Sequence, residues 1–175
     1  MFNYINSDLY RLTGRCNSVY DFIKMYLRNS TFRFQVALRL RQSRRTRILG
    51  NLLWILNSNR KWIKIHPETK IGYGLYIGHG GPIVVHPSTI IGNNVNLSQF
   101  TTIGTNSGKS AVIGNNVYIG PNTCIIDNIN IGNDVTIGAG SVVTKDIPDN
   151  ATACGNYAKV INFKEPGRFI GNKWE

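Results

Sequence analysis

Residues 71–143 read IGYGLYIGHGGPIVVHPSTIIGNNVNLSQFTTIGTNSGKSAVIGNNVYIGPNTCIIDNINIGNDVTIGAGSVV, a phrase in which an aliphatic residue, usually followed by Gly, returns every six positions. A short fixed period means that each unit buries its aliphatic side chain only by stacking on its neighbours, and a period of six belongs to a parallel β-helix. The aliphatics stand at 65, 71, 77 and 83, then at 91, 97 and 103, then at 113, 119, 125, 131, 137 and 143. Each change of phase marks an insertion, with two extra residues assigned between Ile83 and Ile91 and four between Ile103 and Ile113. With three units to a triangular turn, the run predicts a prism of a little over four turns, rising roughly 4.8 Å per turn. Loops on such a rigid coil are where chemistry concentrates.

Outside the repeat the grammar differs. Residues 1–62 are poor in Gly and carry apolar residues at spacings of three and four, so they are expected to be helical. Ser18 is placed to cap a helix through Val19, Phe22, Ile23, Tyr26 and Leu27, and Asp21 holds the capping-box position. Further helices are expected over 31–42 and 46–56, with Arg33, Arg39, Arg41, Arg44, Arg45 and Arg47 on polar faces. The chain thus divides into a basic α-helical segment (1–62), a β-helix (63–161) and a polar C-terminal tail (162–175). The formal net charge of +11 belongs to the first of these, which holds 12 Lys and Arg against 2 acids.

Composition excludes several classes. The longest apolar run, 52–56, is far short of the roughly 20 residues of a membrane span. The start, MFNYINSDLY, lacks the charged stretch and apolar core of a signal peptide, so a cytoplasmic location is expected. Cys16, Cys124 and Cys154 have no paired spacing and are expected to be small buried residues rather than a disulfide framework or a zinc knuckle. No nucleic-acid-binding motif accompanies the basic segment. The three histidines, His66, His79 and His86, are separated by 13 and 7 residues, which does not suggest a metal site of the γ-carbonic-anhydrase kind.

The stretch IGNNVYIGPNTCIIDNINIGNDVT followed by IGAGSVVTKDIPDNATACGNYAKVI resembles the hexapeptide-repeat acyltransferases over residues 64–161. The resemblance implies a left-handed parallel β-helix, a homotrimer and acetyl-CoA lying between neighbouring prisms, with no metal. KIHPETKIGYGLYIGHGGPIVV is similar to the serine acetyltransferase branch, and SDLYRLTGR to the helical lead of that branch's polysaccharide O-acetyltransferases. It makes His79 the general base. A base must take the hydroxyl proton as oxygen attacks a thioester carbonyl, and imidazole, titrating near pH 6.5, suits that task. Gly78 and Gly80 beside it leave room for an acceptor, and His86 either lines the same groove or caps a corner. For acetyl-CoA the resemblance names Pro121 and Ala139 along the pantetheine arm, Thr144 and Lys145 toward the nucleotide, and Lys159 at the phosphates. Tyr157 with Asn156 stands where the family usually has Val-Pro.

Three departures shape the expected acceptor. Lys64 stands where serine acetyltransferases carry an Asp that orients the imidazole, Gly78 replaces an Asp that binds serine, and GTNSGKSAVIG lacks their second histidine. These changes lead to the expectation of an acetyl-CoA-dependent O-acetyltransferase acting on a sugar hydroxyl of a surface polysaccharide, with a glycan acceptor. A serine O-acetyltransferase is the alternative; a zinc lyase or a non-catalytic scaffold comes behind it. The Arg-rich segment with Phe32, Phe34, Trp54 and Trp62 is a candidate for peripheral contact with an anionic membrane, or a solvated face packed on a trimer.

Overall fold

The computed structural model describes residues 1–16 and 18–175, with the backbone alone at 58 and 59. It is a left-handed β-helix of five coils preceded by four helices. The first face holds β1 (Ile63–Ile65), β4 (Ile83–Val85), β7 (Thr102–Gly104), β10 (Cys124–Ile126) and β13 (Val142–Val143). The second holds β2 (Lys70–Ile71), β5 (Ile90–Ile91), β8 (Val112–Ile113) and β11 (Asn130–Ile131). The third holds β3 (Tyr76–Ile77), β6 (Asn96–Leu97), β9 (Tyr118–Ile119), β12 (Thr136–Ile137) and β14 (Thr152–Cys154), closed by the antiparallel β15 (Lys159–Asn162). Buried aliphatics stack inside all three faces, for example Ile65, Val85, Ile103, Ile125 and Val143 on the first.

This register corrects the position of the first insertion. Ile65 pairs with Val85, Ile71 with Ile91 and Ile77 with Leu97. The extra residues therefore lie between Ile77 and Val85, in the corner that carries His79. Counting hexads missed this because Ile83 and Val85 both point inward, so either keeps the pattern. The number of turns also rises, from a little over four to five. Ile147 bridges to Ile131 and Ala153 pairs with Ile137, so a last coil with a shortened corner continues past Val143.

The Gly-Asn-Asn and Gly-Asn-Asp phrases have a physical reason. Asn94, Asn116 and Asp134 adopt φ of 55°, 56° and 56°, a conformation that their short polar side chains tolerate. One position earlier, Asn115 Oδ1 accepts from Asn93 N at 2.8 Å and Asn133 Oδ1 from Asn115 N at 2.9 Å, linking successive coils.

The helices are α1 (Phe2–Thr13), α2 (Val19–Arg28), α3 (Ser30–Gln42) and α4 (Arg47–Leu56). Ser18 Oγ accepts from Asp21 N at 3.1 Å, as the capping pattern requires. Each coil donates its N–H groups to the next, as in Gly72 N to Ile91 O, so the carbonyls of the first coil face outward from the stack. The helices supply donors to them. Arg39 donates to Ile71 O at 2.9 Å and Gly72 O at 2.7 Å, Gln35 to Leu75 O, Thr31 to Ile77 O and Gln42 to Thr69 O. Asp8 holds Arg39 through two hydrogen bonds of 2.9 Å and accepts from Leu75 N at 2.8 Å. Burial pushes the Asp8 carboxyl up, while the adjacent Arg39 pulls it back.

Arg39 is thus a buried cap rather than part of a polar face. Phe32 and Phe34 are fully buried, and Trp54 packs on Phe34, so these aromatics do not face a membrane. The cysteines are free, but Cys16 is exposed and the other two are half-buried on coil surfaces, not core residues. Residues 163–174 run back along the third face: Gly167 N donates to Asp134 O, Phe169 packs on Tyr118, and Trp174 packs on Tyr10.

Candidate active site

His79 lies in the corner between β3 and β4 and is exposed. Beside it is a cleft of about 180 Å³ lined by Tyr76, Gly78, Asn96, Ser98, Gln99 and Tyr118, with Leu97 and Pro121 completing the wall. Apart from His79, no lining side chain is a carboxylate or an amine. The residues arrive there by register. Tyr76, Asn96 and Tyr118 form one outward row of the third face. One step further, at the corner, Gly78 stacks under Ser98 and then Gly120 and Gly138.

Several of these positions are fixed by neighbours. A Cβ at Gly78 would come within 2.9 Å of Tyr76 Cε1, so the Tyr76 ring occupies the space a side chain at 78 would take. Asn96 accepts from Arg11 Nη2 at 2.6 Å and donates to Phe169 O at 3.1 Å, which sets its amide orientation. Among the described residues, none hydrogen-bonds the His79 imidazole. The hexad pattern marks Tyr76, Asn96, Ser98, Gln99 and Tyr118 only as outward positions; their convergence needs the coil register.

The same register sorts the residues expected from the sequence. His79, Gln99, Pro121 and Ala139 follow one another along a single corner line, Gly80 is exposed next to it, and three coil steps of roughly 4.8 Å span about 14 Å. Lys159 pairs with Cys154 at the far end of that line. Thr144 and Lys145 lie elsewhere, following β13 on the opposite edge of the first face.

His86 also lies on that opposite edge, in a cleft of about 470 Å³ with His66, Lys64, Trp54, Val84 and Thr105. It does not line the His79 cleft, because the corner after β4 is one face away from the corner after β3. Its Nδ1 accepts from Ser88 N at 3.2 Å, and His66 Nδ1 accepts from Glu68 N at 3.3 Å. Both rings close turns. Among the described residues, no group of three or more His, Cys, Asp or Glu side chains converges as a metal site.

The sequence profile of the bacterial transferase hexapeptide (six repeats) matches residues 110–145. The structure aligns with soybean serine acetyltransferase complexed with serine at a TM-score of 0.73 and 33% identity, over 90% of this chain and 68% of that one. The chain belongs to the hexapeptide-repeat transferases. A serine acetyltransferase of Brucella abortus in complex with coenzyme A aligns at a TM-score of 0.75 and 26% identity, over 91% of this chain and 66% of that one. In sequence, the serine acetyltransferase of Helicobacter pylori (strain ATCC 700392 / 26695) is 40% identical over 104 residues, 57% of this chain and 60% of that protein. Serine acetyltransferase 3, mitochondrial, of Arabidopsis thaliana is 37% identical over 108 residues, 59% of this chain and 27% of that protein. The chain therefore spans less than two thirds of the length of these two curated relatives.

These relatives overturn the expectation of a polysaccharide acceptor and of a closest likeness to polysaccharide O-acetyltransferases, since all of them are serine acetyltransferases. The physical reason is plain. Lys64, Gly78 and the short loop remove groups from a serine site, but the loss of a group does not install recognition of a sugar.

Proposed function

We propose that this chain is an acetyl-CoA-dependent serine O-acetyltransferase in which His79 is the general base. The observation that carries this reading is the corner line: an exposed imidazole at one end, then Gln99, Pro121 and Ala139, with a cation, Lys159, at the other. That order matches what a thioester co-substrate asks for, with the reacting carbon at the base, a narrow arm along small residues and phosphates at a positive charge. The likeness to proteins bound to serine and to coenzyme A supports the assignment of both substrates.

The chemistry follows from these groups. The imidazole takes the serine hydroxyl proton while the oxygen attacks the acetyl carbonyl of the thioester. The tetrahedral oxyanion collapses, the carbon–sulfur bond breaks, and the departing thiolate recovers the proton from the imidazolium. The acetyl group passes directly between substrates, without an acyl-enzyme. The Ser98, Gln99, Asn96 and Tyr118 side chains at the cleft offer hydrogen bonds to the acceptor.

The working unit in this reading is a homotrimer. The corner line is on the outside of the prism, so a groove that holds the arm requires a neighbouring prism packed alongside. Thr144 and Lys145, on the opposite edge of the first face, would reach the nucleotide from the neighbour, and the group that orients His79 would also come from there.

The test is thiol release from acetyl-CoA with and without L-serine, in the full chain and in His79→Ala. Serine-dependent release, lowered about 10²–10⁴-fold in the variant, supports the proposal. Coenzyme A binding without serine-dependent release would overturn the acceptor and leave the co-substrate groove standing.

A further inference from the structure

The helix α4, RILGNLLWIL, is apolar on both sides. Its inner side is spoken for: Trp54 packs on Phe34, Leu53 joins the helical core, and a Cβ at Gly50 would meet Arg41 N at 2.6 Å. Its outer side is not. Ile48 is 90% exposed, Leu56 73%, Ile55 59% and Leu52 56%. At about 100° per residue these fall on one arc opposite Gly50 and Trp54. A helix that is apolar all round is ordinarily covered on all sides.

The charge around this face identifies the cover. From Asp21 to Glu68 the sequence contains no acidic residue between the two. Arg39 is consumed in the cap and Arg41 stacks on Trp54 at 4.3 Å, but Arg44, Arg45 and Arg47 at the start of α4, and Lys61 beyond its end, are exposed. Trp62, 59% exposed, follows at once. Glu68 lines a cleft with Arg41 and Arg47 at the edge of this face, so a second copy would bring Arg44, Arg45, Arg47 and Lys61 of each chain together with that one carboxylate per chain to offset them. An anionic lipid surface meets both demands, since acyl chains take the leucine and isoleucine side chains and headgroup phosphates take the arginines.

We propose that the outer face of α4 docks on an anionic phospholipid bilayer, with Ile48, Leu52, Ile55 and Leu56 in the interface and Arg44, Arg45 and Arg47 against the headgroups. The contact is peripheral: among the described residues no helix is long and apolar enough to cross a membrane. It holds whichever acceptor His79 serves. If three chains pack side by side, three such helices engage one surface, which multiplies a weak single contact.

Flotation of the purified full chain with phosphatidylcholine vesicles, and with vesicles that also contain phosphatidylglycerol, tests this directly. At low salt, about 50 mM, the chain should float at least about tenfold more with the anionic vesicles and release as salt rises. Leu52→Ser with Ile55→Ser, and separately Arg44→Glu with Arg45→Glu, should each abolish flotation while far-ultraviolet circular dichroism stays unchanged, because all four side chains are exposed. Wild type that does not float at low salt would overturn the proposal. So would a Leu52→Ser, Ile55→Ser variant that floats as before, or one whose loss of binding is accompanied by a smaller sedimenting species, which would assign the face to a second copy.

Discussion

Two corners of the same prism carry histidines, and they differ in what the ring nitrogens do. In the corners after β1 and β4, His66 and His86 each accept a backbone N–H two residues on, from Glu68 and Ser88, so the imidazole acts as a turn-closing acceptor. In the corner after β3, His79 has no such partner among the described residues and faces a polar cleft. The residue type is the same; the availability of the ring is not. A histidine engaged by its own backbone is held for structure, whereas one left open beside a cleft is free to exchange a proton with a substrate.

The sharpest way to break this contrast is kinetic. His79→Ala should lower kcat about 10²–10⁴-fold, while His86→Ala and His66→Ala should stay within about threefold in steady-state thiol release. Comparable losses at all three histidines would show that the two corners share one site in the assembled protein.

A second contrast concerns packing. Along the His79 line, a Cβ at Gly120 would meet Ala139 N at 2.7 Å and Ile137 O at 2.8 Å, both backbone atoms that cannot swing away. At Gly104, on the His86 side, nothing lies within 4 Å. Gly120→Val should therefore cost about 1–3 kcal/mol of stability and Gly104→Ala within about 0.5 kcal/mol, read from urea unfolding midpoints. Because Gly120 precedes Pro121, the same substitution should also weaken coenzyme A binding if the line is the groove.

How far the sequence carries this picture depends on what each feature rests on. Periodicity is local, so the stacked prism, the capped α2 and the outward position of His79 can all be read from the chain. Register is not local. Ile83 and Val85 are both inward, so the hexad pattern alone places the extra residues of the His79 corner one strand too late and does not bring Tyr76, Asn96 and Tyr118 together. Arg39 reads as a surface cation because its partners, Asp8 and the carbonyls of Ile71 and Gly72, come from elsewhere in the chain. The tail is similarly opaque, being held by Asn94, Asn96 and Tyr118 of the coils rather than by any pattern of its own. Reading the acceptor from missing groups failed for a different reason, since absences do not specify a replacement.

His86 itself offers the next test of its structural role. Removing its ring leaves Ser88 N without its acceptor at an exposed corner, where water takes the acceptor's place, so His86→Ala should lose no more than about 0.5 kcal/mol by denaturant titration. His79→Ala should lose less, having no intrachain hydrogen bond to forfeit.

The smallest effect decides where the far end of the groove lies. Lys159 stands at the end of the His79 line in the same chain, whereas Lys145 stands on the opposite edge of the first face and could reach that line only from a neighbour. Both are exposed, and an exposed cation is worth at most about 1 kcal/mol to an anionic ligand, or roughly fivefold in Kd. Lys159→Glu should weaken coenzyme A by about that factor, measured by calorimetry, and Lys145→Glu should do so only in the assembled oligomer. A loss at Lys145 that persists in a dissociated single chain would place the nucleotide on the His86 side and separate it from the corner line that His79 heads.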